Sequence, residues 1–227
     1  MATDDAQSSP FARPNSYVGR TLSRTGAKRA VAGRGRYTDD IWLPRTLHAA
    51  FLRSPFAHAR IVGIDTAEAK RQPGVVLVMT GAELAKLCTG PWVGTLTCFP
   101  GMKSAPQYPM AVERTCWVGE PVVMVVAGTR AQAEDAAEKI AVAWDELPAA
   151  TEKKTALDAG TPVIHPELGD NLAFRKTIDT GNVEAAFAKA HLVVEETFEF
   201  GRHTPVSLEP RSLLASYDKG TGKLTIH

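Results

Sequence analysis

The stretch Arg53-Ser54-Pro55-Phe56-Ala57-His58-Ala59-Arg60-Ile61 places polar residues at fixed offsets between two runs rich in apolar and branched side chains, Leu47 to Arg53 and Ala59 to Ile64. Such runs suit strands, and Ser54-Pro55 punctuates the passage from one to the other. Thr66 to Gln72 then reads as a short helical turn stopped by Pro73-Gly74. Val75 to Thr80 is a Val and Leu run of the kind buried on both faces of a sheet. Thr80 caps the next helix: Thr-Gly-Ala-Glu puts a glutamate three residues on, and Leu84 and Leu87 begin an apolar stripe.

Residues 89 to 110 hold Gly90-Pro91, Pro100-Gly101, Pro106 and Pro109, an irregular loop of a length that is often functional. Regular patterning then returns. Val122 to Ala127 reads as a buried strand, and Ala141 to Trp144 as another. Between them, Thr129 to Ile140 is an alanine-rich amphipathic helix that turns Ala133, Ala136, Ala137 and Ile140 to the core. Strand, helix, strand twice over predicts an α+β fold with helices packed on one mixed sheet.

Residues 1–18 read as a mobile leader, and residues 19–150 as the first domain. Within that domain Arg20, Arg24, Lys28, Arg29, Arg34 and Arg36 lie among glycines, an ordered basic loop that is either a solvated surface or a dock for an acidic neighbour. Residues 151–171, with two X-Pro pairs, predict a crossing linker of little regular structure. Residues 172–227 read as the incomplete start of a second α/β domain. It opens with a helix over Asn182 to Lys189 whose stripe is Val183, Phe187 and Ala190. Leu192 to Phe200 alternates apolar and acidic residues as a half-buried strand does. Leu213 to Tyr217 and Lys223 to His227 form a hairpin across Asp218 to Gly222. The pattern at His227 is that of a strand in mid-course, the expectation for a split subunit, a truncated product or a fragment.

Charge and cysteine count exclude several classes. With 26 basic and 25 acidic residues among 227 the net charge is +1, and neither sign dominates a long segment, which gives no footprint for nucleic acid or an anionic membrane. The polar start carries no signal-peptide core, and no apolar run has the ~18 residues a membrane span needs, so a cytoplasmic protein is expected. Cys88, Cys98 and Cys116 are too few and too far apart for a metal knuckle or an iron–sulfur cluster.

Four blocks in order carry a resemblance. They are Gly33-Arg34-Gly35-Arg36-Tyr37-Thr38-Asp39-Asp40; Arg53 to Asp65; Trp117-Val118-Gly119-Glu120-Pro121-Val122 with Ala133 to Glu138 and Trp144-Asp145-Glu146-Leu147-Pro148; and Phe187 to Ala190, Val193 to Glu195 and Leu208-Glu209-Pro210-Arg211 before Tyr217-Asp218. Each alone is weak, but their order and spacing resemble the large subunit of the molybdenum hydroxylases, the xanthine dehydrogenase, aldehyde oxidase and carbon monoxide dehydrogenase family. The resemblance implies an a/b hammerhead domain followed by the start of a molybdenum-cofactor-binding domain. It implies oxidative hydroxylation of a small organic substrate, or oxidation of carbon monoxide, with water as the oxygen source. The implied cofactor is molybdenum on molybdopterin in its cytosine dinucleotide form. Electrons would leave through 2Fe-2S clusters and FAD carried by an iron–sulfur subunit and a flavin subunit, and the remainder of the large subunit would be a further partner.

The family's metal-side glutamine, cofactor loop and general-base glutamate have no counterpart among these positions, so the resemblance transfers no catalytic, cofactor-binding or metal residue, and the chain alone is expected to carry no cofactor. Five residues are candidates for an interface or for shaping a pocket. The arginine Arg53 flanks the Ser-Pro turn, and His58 is either an interface hydrogen-bonding group or a satisfied structural histidine. Glu120 sits between Gly119 and Pro121, as an aimed carboxylate or a solvated one. Glu209 and Arg211 flank Pro210 and are expected to form a buried ion pair in a pocket wall. Two other readings compete with the enzyme part: a noncatalytic assembly or docking module of such a complex, and a freestanding α/β binding protein.

Overall fold

The chain forms two compact units, Met1–Pro44 with Phe200–His227, and Arg45–Glu199. A computed structural model describes residues 21–22, 24–93, 100–201, 203, 206–207 and 210–227. The expected leader lies outside these residues.

In the first unit α1 (Ala27–Val31) is a single turn entered through Gly26 at φ 84°. The expected hairpin is present elsewhere in this unit, as an antiparallel pair that aligns Tyr217 with Leu224 and Ser216 with Thr225. Asp218 organises its turn by accepting from Gly220 N–H and Thr221 Oγ1, both at 2.8 Å.

The second unit holds most of the regular structure. In chain order it comprises β1 (His48–Arg53), β2 (Ala59–Asp65), α2 (Ala67–Lys70), β3 (Val75–Thr80), α3 (Gly81–Ala85), β4 (Trp92–Val93), β5 (Pro106–Gln107), β6 (Arg114–Thr115), β7 (Pro121–Ala127), α4 (Arg130–Ala137), β8 (Ala141–Glu146) and α5 (Val183–Lys189). The hairpin strands of the first unit are β9 (Ala215–Asp218) and β10 (Lys223–Ile226).

The α+β class holds, with one difference in the pairing. The described strands of the second unit do not join one mixed sheet. They form two three-stranded sheets, ordered β1-β7-β3 and β6-β2-β8, with every pairing antiparallel, and a small β4-β5 pair. Ser54-Pro55 explains the division: proline cannot donate to a ladder, so the chain leaves the sheet of β1 there and enters β2 in another. The register of β1 on β7 already shifts between Leu52 and Arg53.

The core lies where α2 and α4 cover one face of the β1-β7-β3 sheet. Val122, Val123 and Val125 of the central strand are fully buried, as are Ala69 and Ala136, and Ala137 and Ile140 join the same buried cluster. Ile61, Ile64, Val142 and Trp144 from the other sheet pack against the same cluster. Each valine so buried contributes about 1.5–3 kcal/mol. Strand β3 departs from expectation: Val76 and Leu77 are exposed at the edge of the sheet, where the register of β3 on β7 shifts between Val75 and Leu77.

Local signals place the helices. Thr80 and Glu83 form the expected reciprocal cap of α3, with Thr80 N–H donating to Glu83 Oε2 at 2.7 Å and Glu83 N–H to Thr80 Oγ1 at 3.3 Å. Gly81 starts that helix against the carbonyl of Ala111, and an added Cβ would lie 1.9 Å from its oxygen. Thr129 caps α4 and Asn182 caps α5.

Two later segments differ from their patterns. Residues 151–171 hold a single 3-10 turn, Pro166–Leu168, yet are fastened throughout. Asn171 accepts from Ile164 N–H at 3.1 Å and donates to Ala156 O at 3.0 Å and Pro162 O at 2.8 Å. Lys103 reaches Leu168 O and Asp170, and Arg114 reaches Glu167. Residues 192–200 are not a half-buried strand: they join no sheet, and Leu192, Val194 and Phe198 stand exposed. Alternation marks a face, but a strand exists only where a neighbour completes its ladder, and no described segment does so here.

Candidate functional site

The end of β1 and the turn before β7 meet in a knot of hydrogen bonds. Trp117-Val118-Gly119-Glu120 is a β-turn closed by Glu120 N–H to Trp117 O at 3.3 Å, with Gly119 at φ 85° in its third position. Glycine is the residue that position favours in a type II turn. The chain around Ser54 binds this turn from both sides: Gly119 N–H donates to Ser54 O at 2.8 Å, and Ser54 N–H to Glu120 O at 2.9 Å. Arg53 Nη1 donates to Gly119 O at 2.9 Å, while its guanidinium lies 5.7 Å from the centroid of the Phe51 ring.

Glu120 is 7% exposed. Its Oε2 accepts from Cys116 N–H at 2.6 Å, and Trp117 N–H also serves the carboxylate. Burial pushes the carboxyl above the ordinary glutamate range, and the two backbone donors and Arg114 only partly offset this. Burial likewise pushes the Cys116 thiol up, against the pull of the Arg114 guanidinium, which argues against a nucleophilic thiolate. For Arg114 burial works against the charge, but Glu167 and Cys116 outweigh it and raise the guanidinium. For Glu167 burial raises the carboxyl, and a backbone bond, Arg114 and His165 together bring it below the ordinary range.

His58 lies at the far end of the Ser-Pro loop, 8% exposed. Its Nδ1 is 2.8 Å from Pro148 O, so Nδ1 carries the proton and donates. Its backbone carbonyl accepts from Leu147 N–H at 3.0 Å. Nε2 is buried and has no partner among the described residues. The histidine therefore clips the exit of β8 to the start of β2, and nearby Phe56 sits edge-on to Trp144 at 5.8 Å.

Of the five candidate residues, Arg53 and Glu120 converge on one turn, and His58 closes the same loop. Arg211 is exposed and Glu209 lies outside the described residues, so the ion pair expected of them is not on view. Sequence reasoning missed Thr115, fully buried, whose hydroxyl is 3.0 Å from Ser54 Oγ. It also missed Ser54 itself, whose Oγ accepts from Phe56 N–H at 3.1 Å. A serine before proline is a signal for such a turn; nothing in Arg114-Thr115-Cys116 marks the threonine.

Among the described residues no group of three or more His, Cys, Asp or Glu side chains is placed to hold a metal ion. The polar pocket lined by Lys103, Gln107, His165, Asp170 and Asn171 has most of its charged and amide groups engaged within the chain. Lys103 is paired with Asp170 at 2.7 Å, and Asn171 serves three backbone groups. These residues do not fit a phosphate-bearing cofactor. Among the described residues no helix is long and apolar enough to cross a membrane. What the knot does is hold an exposed turn in one conformation between two sheets.

The helices and antiparallel sheets of this unit are matched by known proteins. Residues 32–148 match the aldehyde oxidase and xanthine dehydrogenase a/b hammerhead domain, and residues 164–227 match the molybdopterin cofactor-binding domain. The chain belongs to the aldehyde oxidase and xanthine dehydrogenase family of molybdenum hydroxylases. The nicotine 6-hydroxylase large subunit of Paenarthrobacter nicotinovorans is 37% identical over 201 residues, 88% of this chain and 24% of that protein. The carbon monoxide dehydrogenase large chain of Afipia carboxidovorans is 34% identical over 211 residues, 87% of this chain and 25% of that one. The crystal structure of quinoline 2-oxidoreductase from Pseudomonas putida 86 superimposes with a TM-score of 0.81 at 40% identity, over 90% of this chain and 26% of that one. The chain thus spans about a quarter of the length of these relatives. By their names they are large subunits or chains, or, in a further relative, a subunit of a dehydrogenase complex.

Proposed function

We propose that this chain is the hammerhead part of a molybdenum hydroxylase large subunit together with the start of its cofactor-binding domain. The observation that carries the reading is the succession of two domain matches, 32–148 and then 164–227, in one chain. A linear division into 19–150, a connecting segment 151–171 and 172–227 accompanies this reading; the order of the two matches supports its sequence, while the second match begins at 164, inside the connecting segment. In the complete enzyme a molybdopterin cofactor, in its cytosine dinucleotide form, supplies the redox chemistry. A small organic molecule is hydroxylated, or carbon monoxide oxidised, with oxygen taken from water. Electrons pass to 2Fe-2S clusters and FAD on companion subunits, and the assembly works in the cytoplasm. The 227 residues contribute scaffold and contact surface; the reacting atoms are handled by the remainder of the large subunit. The rigid turn at Trp117–Glu120 also favours a docking contribution, the alternative in which the chain acts only as an assembly module.

Reconstitution tests this. The chain is combined with a polypeptide carrying the rest of the large subunit and with the iron–sulfur and flavin subunits. Oxidation of quinoline, nicotine, xanthine and carbon monoxide is then followed in 18O-labelled water. Turnover of one substrate only when this chain is present, with label in any hydroxylated product, is the expected result. Equal turnover without the chain would reject an enzymatic contribution.

A further inference from the structure

Residues 164–173 are the opening of the cofactor-binding match, yet their bonds run back to residues inside the hammerhead match. The local sequence shapes them for this. Pro166 begins the 3-10 turn Pro166–Leu168, which Leu168 N–H closes by donating to His165 O at 2.9 Å. Gly169 follows at φ 84°, the left-handed conformation that glycine favours, and turns the chain so that Leu168 O and the Asp170 carboxylate meet the same ammonium. Lys103 Nζ donates to Leu168 O at 3.0 Å and to Asp170 Oδ1 at 2.7 Å, and Lys103 N–H donates to Ala173 O at 2.8 Å. On the turn itself, Glu167 Oε2 accepts from Arg114 Nη2 at 2.7 Å, with His165 Nδ1 3.4 Å from its other oxygen. The segment presents acceptors, and the hammerhead presents two cations.

We propose that residues 164–173, Lys103 and Arg114 form a charge-operated clasp: closed, it makes the opening of the cofactor-binding match one body with the hammerhead, and open, it releases that segment while both sheets stay folded. No residue from 151 to 173 is fully buried, and none joins the apolar cluster that holds the β1-β7-β3 sheet. Apolar burial therefore contributes less here than in the core, and charge-assisted bonds carry the attachment. A single exposed ion pair contributes little, but two pairs and the backbone bond at Ala173 act together on one short segment. Proteins open locally, in cooperative units, where buried apolar contacts are few. Salt is the lever, since at 1 M the screening length falls to about 3 Å and half-exposed pairs lose most of their attraction. All of these bonds lie within the chain, so the clasp closes without any companion subunit.

The sample is the 227-residue chain itself, and amide hydrogen exchange is read at Lys103, Leu168 and Gly169 with β7 as the reference. Raising sodium chloride from about 20 mM to about 1 M is expected to speed exchange at all three amides together by roughly threefold or more, with β7 unchanged. Lys103→Met combined with Arg114→Met is expected to speed the same amides at low salt and to abolish their response to salt. Arg114→Glu alone sets like charges face to face and opens the clasp further; adding Glu167→Arg restores a pair and, with it, the protection. No salt response in the unaltered chain, or an undiminished one in the double methionine variant, would overturn the proposal. So would β7 losing protection in step with the three amides, which would make the segment part of the core. A rise at Lys103 without one at Leu168 would also overturn it, by making the two sides independent loops.

Discussion

Glu120 is a carboxylate buried with backbone donors, and its titration has a definite sign. Its carboxyl is raised in the folded chain, chiefly by burial. As pH rises, the unfolded state loses this proton first, so the folded state loses stability until the folded group has ionised as well. Stability from this residue is therefore greatest below the ordinary glutamate range and is lost as pH climbs through the raised value. Glu83, Glu167, Asp170 and Asp218 are lowered and act in the opposite sense, losing their contribution as pH falls. Glu120→Gln keeps an acceptor for Cys116 N–H and removes the titration. The expected outcome is that its unfolding midpoint rises relative to the unaltered chain as pH goes from 4 to 8, read by thermal denaturation across that range. The reverse trend would mean that the backbone donors outweigh burial. At this scale the sequence shows the chemistry of Glu120 but not its burial. Gly-Glu-Pro reads as a turn, whereas the donors from Cys116 and Trp117 exist only because the turn folds back on itself. His58 is similar, because its partner Pro148 lies 90 residues away.

Elements whose signals are local were legible, and those that depend on a distant neighbour were not. The Thr80-Glu83 cap, the Asp218 turn and the valine run of β7 follow from residues a few positions apart. The split into two antiparallel sheets depends on β7 inserting between β1 and β3, which no local pattern states. The segment 192–200 has the right alternation and no described ladder neighbour. The segment 151–171 reads as a loose crossing because its order resides in one amide and in ties to the distant Lys103 and Arg114. Asn171 holds Ala156, Pro162 and Ile164 together through three bonds. Asn171→Ala leaves these backbone groups without that partner and is expected to cost about 1–3 kcal/mol. The cost is expected to appear as faster amide exchange confined to residues 155–170, with the exchange of β7 unchanged. Uniform loss of protection across both segments would show that the loop is an integral part of the core.

For the whole molecule, the α+β class and the family were legible because order and spacing of short blocks survive where each block alone is weak. The site was only partly legible. Arg53, His58 and Glu120 were named from their places in the pattern; Ser54 before Pro55 marks a turn, but nothing marks its buried partner Thr115. On the proposed reading, these 227 residues build a scaffold whose redox cofactor is held once the rest of the large subunit is present. Molybdenum stoichiometry tests it most directly. Elemental analysis is made on the purified chain, and again after assembly with a polypeptide carrying the remainder in the presence of the cofactor. The account predicts metal well below one per chain before assembly and approaching one per chain after it. Stoichiometric molybdenum on the isolated chain would contradict it.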